Sequence, residues 1–546
     1  MEIVLVTGQS GTKVHECLEL LNSRSDRDRT ILSIDKKIGS KIPYLSFLAS
    51  PQRIQHRVWT EVFRETLNEI NNLSRRRQPD TLFLNFHASY YHQKKRELFP
   101  AINFHSLFQL RGRVKMVIVL IDDVFDVYRR LMAPNQMFYD VLETDQNDKP
   151  KMDSATAMIK SVFNIVSLLN WRETEISVSR CLAYLLDARF FVISTKHPVF
   201  MINRLIDMPF SRLKIYYLCH PITAIREDRT QFHSFPGQLE LVIKDWIQGD
   251  GSDNNVLFFP TSIDELIIRQ EIGEGETLFY PELTARWPHP YPDDFIAPPL
   301  PDDLKRINPL NPLNYPFGKN KAKDLAESRL LSFLWDYLYE KQIISRDYSL
   351  VEQSAGGVVA IRPYFKGNLS LGMEGEIDYN FELMRSEPSR RFLVFSTPQD
   401  NNRWQITTLF NKMPLYLRAT QTDEFLKSAK ENWLRSNRDM NALTSPAGLR
   451  NILERQILSK SYSVNPEAVG PPLSGKWKLE KLAEAEQGKE RAFQRLYDDV
   501  KGCDGILLKA RHLRKRGEYI VIGEDRLWRE IRRQIGRLKN KQEKGK

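Results

Sequence analysis

Glu374 and Glu376 stand in the segment Gly372-Met-Glu-Gly-Glu-Ile-Asp-Tyr379, shortly after the apolar run Gly357–Ile361. If that run is a strand of an α/β sheet, the carboxylates fall where such sheets present their ligand crevice, outside the carboxyl ends of the strands. Asp347 lies on the other side of the run. Acids placed this way suit reactions that pass through an oxocarbenium-like state: one carboxylate stabilises or bonds to the anomeric carbon, and a second group moves a proton or holds the sugar. The spacing predicts a helix over Gly375–Met384, whose N-terminal dipole would keep Glu376 ionised, as a nucleophile requires. The non-catalytic explanations are an acidic first helical turn for Glu374 and Glu376, and a surface ion pair with Arg346 for Asp347.

The elements that must position these residues read as alternating strands and helices. Strands are expected at Glu2–Thr7, Thr30–Ile34, Thr81–Asn85, Val114–Ile121 and Phe190–Ser194, with helical patterns at Val14–Leu21, Ile54–Ser74 and Glu175–Leu186. A second series begins at Lys214: a strand running into a loop over 214–221, a strand at Asn255–Phe259, a helix over Phe235–Ile247, a long amphipathic helix over Leu325–Gln342, and strands at Gly357–Ile361 and Arg391–Ser396. This alternation implies largely parallel sheets covered on both faces. Ten prolines between Pro281 and Pro316 mark a surface insertion or strap. The expected organisation is α/β, with two parallel-sheet Rossmann-like domains over 1–212 and 213–422, the second carrying the insertion at 281–318, and a mainly helical basic region over 423–546. A short strand, Tyr519–Gly523, is expected between two basic helices of that region.

The first strand runs into Gly8-Gln-Ser-Gly-Thr-Lys13 and then a helix, a geometry that aims backbone N–H groups at an anion. It resembles the P-loop of small nucleotide kinases, with Gly8, Ser10, Gly11, Thr12 and Lys13 as the phosphate loop and Asp122 and Asp123, after Val117–Ile121, on the metal side. That resemblance implies ATP or another nucleotide with magnesium. The match departs from Gly-x-x-x-x-Gly-Lys-Ser/Thr, because Val14 and His15 stand where lysine and a hydroxyl residue are required. A tight turn without ligand, and an acidic start to the helix after Asp122, are the plain alternatives. Asn170–Glu175 reads as a capped helix start and Lys196-His197-Pro198 as a strand-end turn.

From Lys214 to Ser396 the order of elements resembles the nucleoside 2-deoxyribosyltransferase family: a strand and substrate loop at Ile215–Pro221, a strand ending in proline at Val256–Pro260, an aspartate ahead of an apolar strand, and Gly-x-x-x-Glu opening the next helix. The resemblance implies Glu376 as nucleophile, with Glu374 as an alternative, Asp347 as the second acid, and His220, Pro221, Gly372 and Tyr379 lining the substrate crevice. It implies no cofactor for the glycosidic chemistry. Ser370 and Ala355 stand where many members carry acids.

The net charge of +11 is concentrated near the end of the chain, where Lys509–Lys546 holds 14 lysines and arginines against five acids. Such a segment attracts a nucleic-acid backbone or an acidic protein. Four scattered cysteines form no metal or disulfide pattern, and no apolar run reaches the roughly 18 residues of a membrane span. A cytoplasmic protein is expected. Taken together, the residues point to an enzyme acting on the N-glycosidic bond of a nucleoside or nucleotide, by hydrolysis or transfer. The alternative is a non-catalytic nucleotide-sensing or nucleic-acid-associated protein with degenerate nucleotide-binding domains.

Overall fold

The computed structural model describes residues 1–396, apart from 77–78, 93–94, 96, 101, 134–136, 148, 228–253, 266, 274–275, 282–293, 314–319, 322–324, 364, 366–368, 385 and 388; beyond 396 it describes only the strands at 507–508 and 519–522. The chain forms two compact units, one comprising Met1–Met208 and Pro260–Ser349, the other Pro209–Phe259 and the residues from Leu350 onward.

The first unit is built on β1 (Glu2–Thr7), β2 (Arg29–Ser33), β3 (Thr81–Asn85), the small hairpin β4 (Tyr90–His92) and β5 (Glu97–Phe99), β6 (Val114–Ile121) and β7 (Arg189–Ser194). Five of these make one sheet in the order β2-β3-β1-β6-β7, every pairing parallel. Burial of Ile3–Val6, Leu82–Leu84 and Met116–Ile121 explains why these strands are continuous apolar runs and do not alternate. The intervening helices are α1 (Val14–Ser23), α2 (Ile34–Lys41), α3 (Tyr44–Ala49), α4 (Gln52–Arg76), α5 (Phe104–Leu107), α6 (Val124–Leu131), α7 (Ser154–Leu186) and α8 (Val199–Asp207). One core layer joins Trp59, Phe63 and Ile70 of α4 to Ile3, Leu5, Leu82 and Leu84 of the sheet.

The chain then enters the second unit as β8 (Lys214–Cys219) and β9 (Asn255–Phe258), and returns to the first with the hairpin β10 (Ile267–Gly273) and β11 (Glu276–Pro281), joined by the short β12 (Asn320–Lys321). It finishes the second unit with β13 (Gly357–Ile361), β14 (Arg391–Ser396), β15 (Leu507–Leu508) and β16 (Tyr519–Ile522). These strands order as β15-β16-β14-β13-β8-β9, with β14, β13, β8 and β9 parallel and β16 antiparallel against β14.

Several expectations are corrected. The second domain is not one stretch: Pro260–Ser349 belongs to the first unit, because Ile267, Phe279, Leu310, Leu331 and Leu334 close a core with Val127, Leu131, Ile165 and Leu168 of α6 and α7. Asn170–Glu175 does not open a helix, since α7 starts at Ser154, capped by Asp153, whose side chain accepts from Thr156 N–H, and runs unbroken for 33 residues. The helix expected over Gly375–Met384 spans Leu371–Leu383, with the Ser370 hydroxyl accepting from Met373 N–H. The helix from Leu325 ends as α-helix at Asp336, and continues through π-helical turns at Tyr337–Ile343 into a further helix, Ile344–Gln353, that carries Asp347.

The strand at 519–522 is present, but the basic helices around it and the helix expected over 235–247 lie outside the described residues. Among the described residues no helix is long and apolar enough to cross a membrane.

Candidate functional site

In the second unit, β8 and β13 are neighbours, with Val358 opposite Tyr217 and Ala360 opposite Cys219. The connection after β8 leads towards β9 on one side of the sheet, and the connection after β13 leads towards β14 on the other. The β8–β13 edge is therefore the topological switch point, where doubly wound sheets have their ligand crevice beyond the carboxyl ends of the strands. Glu376 comes from the helix after β13 and Tyr217 from β8; the Tyr217 hydroxyl donates to Glu376 Oε1 at 2.7 Å, and both side chains are buried. The bond thus joins the two elements that flank the crevice. Burial raises the Cys219 thiol well above its ordinary range, and the carboxylate of Glu376 raises it further, so Cys219 also lies close to that charge.

The two glutamates are now distinguishable. Two helical residues do not share a face, and while Glu376 is buried, Glu374 is only half-buried. Because the helix starts at Leu371, Glu374 occupies the first turn and Glu376 the second. Dipole stabilisation fades within one turn, so the helix end does not act on Glu376 in the second turn. The Tyr217 hydroxyl takes over as the donor to Glu376. Ser370, where an acid was missing from the family pattern, serves as the helix cap.

Gly372 is exposed in this helix, and a Cβ there would meet nothing within 4 Å. Glycine inside a helix costs about 1 kcal/mol relative to alanine, and no neighbouring side chain explains its use. Tyr379 is half-buried, while His220 and Pro221 are buried at the end of β8.

Asp347 belongs to the first unit and Glu376 to the second. The carboxylate of Asp347 accepts from Arg346 Nε at 2.9 Å. Burial pushes its carboxyl up from the ordinary value, with Arg346 opposing. Arg346 also donates to Ile263 C=O, and Glu265 pairs with Arg172 at 2.6 Å and 2.9 Å. Asp347 is thus part of a buried charged array: the pair with Arg346 offered as its plain explanation is present, but buried and not at the surface.

In the first unit the glycine loop is tied to the chain's own side chains. Gly11 has φ 89°, and a Cβ there would come within 2.9 Å of Val127; glycine is required both for the left-handed turn and for the approach of α6. Arg130 donates to Gly11 C=O at 2.9 Å, to Asp122 Oδ2 at 2.8 Å and to Pro298 C=O at 3.3 Å. Its guanidinium therefore links the loop, the end of β6 and the described part of the proline-rich strap. Lys196 lies 3.6 Å from Asp122 and 3.1 Å from Asp126. Asp123 caps α6, accepting from Phe125 and Asp126 N–H, and Lys13 extends into solvent 3.9 Å from Glu16.

The N–H of Gly8 donates to Glu175, which also accepts from Ala88 N–H, Ser89 N–H and the Ser89 hydroxyl at 2.5–3.1 Å. Burial raises the Glu175 carboxyl above its ordinary value, and neighbouring His87 and these donors work against that rise. An internal carboxylate thus fills an anion nest made by the turns after β1 and β3. Ser10 and Thr12 complete the loop, with Thr12 N–H closing a turn on Gln9 C=O. Sequence reading missed Tyr217, Glu175 and Arg130, whose partners, apart from Asp122 beside Arg130, are distant along the chain. Among the described residues no group of three His, Cys, Asp or Glu side chains is placed to hold a metal ion.

Burial alone would raise the carboxyl of Asp122, but Lys196 and Arg130 overcome it and hold the carboxyl below its ordinary value of 3.8. A depressed folded value means that Asp122 contributes stability above about pH 3.8 and loses it as pH falls further. Asp122→Asn is expected to cost about 3 kcal/mol at pH 7 by leaving the buried Arg130 without its carboxylate and half-buried Lys196 with Asp126 but without Asp122, and to flatten the fall in stability below pH 4. Denaturant midpoints at pH 7 and pH 3 measure both effects; an equal loss at the two values contradicts the assignment.

No family model matches the chain, and no curated protein matches it.

Proposed function

We propose that the second unit acts on the N-glycosidic bond of a nucleoside or nucleotide, with Glu376 as the nucleophile. The observation that carries this reading is the Tyr217–Glu376 hydrogen bond across the β8–β13 switch point. In order of appearance along the chain, the four parallel strands of the second unit stand as 2-1-3-4, the flavodoxin-like doubly wound order, whose ligands lie at the edge between its first and third strands. The Gly372–Glu376 spacing, similar to that of the deoxyribosyltransferases, supports reading Glu376 as the functional carboxylate at this edge.

In the reaction, a Glu376 carboxylate oxygen forms a bond to C1′ of the sugar as the C1′–N bond breaks. The bond's electron pair leaves with the base, which takes a proton from water. Water, or a second base, then attacks C1′, and Glu376 departs as carboxylate. Tyr217 is a positioning residue: its hydroxyl donates to one Glu376 carboxylate oxygen and so sets the orientation of that carboxylate. The open space over Gly372 lets a ligand approach the first turn of the helix. This scheme requires neither Asp347 nor a cofactor.

In the first unit, Glu175 in the nest beside Gly8 and Arg130 on Asp122 support a loop that does not transfer phosphoryl groups. A nucleotide seated at the loop with magnesium at Asp122 would have to part the Arg130–Asp122 pair.

The test is to incubate the full chain with a panel of nucleosides and deoxynucleotides, with and without a second free base, and to follow release or exchange of base by chromatography. Tyr217→Phe is expected to lower kcat by about 10- to 100-fold with little change in KM, as loss of positioning does. A panel that yields no free or exchanged base overturns the enzymatic reading. Calorimetric binding of a nucleotide without turnover would then favour a sensor.

A further inference from the structure

The strongest unexplained surface lies on α4, in the first unit. Its acids are matched by α2: Lys41 bonds Glu61 at 3.1 Å and Glu65 at 2.6 Å, and Lys37 bonds Glu69. Its exposed arginines Arg53, Arg57 and Arg64 have no acidic partner among the described residues. The spacings of four and seven place these three on one face, and over 11 residues they extend about 16 Å.

They line a groove of about 620 Å³ together with Ile54, Thr60 and Asn103. Glu61 also lines it, but that carboxylate is already bonded to Lys41. The far wall is fixed, because Asn103 donates to the Thr60 hydroxyl at 3.2 Å and accepts from Ser106 N–H at the start of α5. From Asn103 the chain continues into two exposed aromatic rings, Phe104 at 36% and Phe108 at 41%, and Ile54 on α4 is exposed at 38%. The guanidinium of Arg111 stands 5.4 Å over the Phe108 ring.

We infer that the α4–α5 groove is a binding site for single-stranded nucleic acid, with Arg53, Arg57 and Arg64 on the phosphates and Phe104 and Phe108 as stacking surfaces for bases. A row of arginines without acidic partners is complementary to a phosphodiester backbone, and three guanidiniums along about 16 Å can meet about three phosphates of one strand. Exposed rings beside such a row are what single-strand binders use, since every base has a face to stack. A duplex hides those faces, and an acidic peptide has no need of them. The site is independent of the glycosidic reading and of the basic residues after 508.

The test uses the full chain and a fluorescent oligothymidylate of about 12 nucleotides, with affinity read by anisotropy between about 50 and 200 mM salt. R53A/R57A/R64A is expected to bind at least about 10-fold more weakly. Its slope of log affinity against log salt should be shallower by about 2, three single-strand phosphate contacts at about 0.7 each. R53K/R57K/R64K should retain the slope, and F104A/F108A should lose about 10-fold with the slope unchanged. All the altered residues are exposed, and matching circular dichroism checks that the fold is kept. Unchanged affinity and slope in the alanine triple variant overturn the proposal. A duplex of equal length competing as well as the single strand overturns the stacking role, and polyglutamate competing equally assigns the groove to an acidic protein.

Discussion

Glu376→Gln is expected to lower base release by at least about 10³-fold while leaving the second unit folded. The substitution preserves shape, and the carboxamide oxygen still accepts from the Tyr217 hydroxyl, so the buried pair loses its charge but not its hydrogen bond. What disappears is the anion that bonds to C1′, and no neighbouring acid can stand in. Glu374 is two residues away on another face of the helix, and Asp347 is engaged by Arg346 in the first unit. The companion variant Glu374→Gln is expected to retain activity within a few-fold. Rates measured on whichever nucleoside the wild type cleaves decide the matter. A large loss in Glu374→Gln with full activity in Glu376→Gln would reverse the two roles.

The second large effect is structural. Glu175→Ala is expected to destabilise the first unit by about 4 kcal/mol, because three buried backbone N–H groups and one hydroxyl lose their acceptor at once and each orphaned donor costs about 1–3 kcal/mol. Glu175→Gln keeps one acceptor but turns an NH₂ towards these donors, and it should fall between the wild type and alanine. Urea unfolding of the full chain gives the loss, and hydrogen exchange localises it to peptides covering Gly8 and Ala88–Ser89. A midpoint and protection equal to those of the wild type would mean that water replaces the carboxylate without cost.

The strands at Glu2–Thr7, Val114–Ile121 and Gly357–Ile361 were legible because each is an apolar run buried on both faces, a pattern that belongs to local sequence. Glu376 was singled out through its spacing from Gly372, and the structure adds its burial and its bond to Tyr217. Tyr217 was not, because two adjacent tyrosines in a buried strand look alike until the sheet brings one of them to a carboxylate 159 residues away. Asn170–Glu175 misled for a related reason: its polar residues read as a helix start, whereas Trp171, Arg172 and Glu175 are mid-helix side chains directed to Ser89, Glu265 and the Gly8 turn. The crossing of Pro260–Ser349 back to the first unit was equally hidden, since nothing in the periodicity of a segment states which core will receive it.

During synthesis, β8 and β9 emerge roughly a hundred residues before β13, the strand that must lie beside β8. At translation rates of about 5–20 residues per second this leaves two apolar strands waiting for on the order of ten seconds, while the residues between them and β13 complete the first unit. The outer edge of β14 then waits again until β16 is made. A stop codon placed before residue 519 removes the strand that pairs with β14 and should make the chain more prone to aggregation.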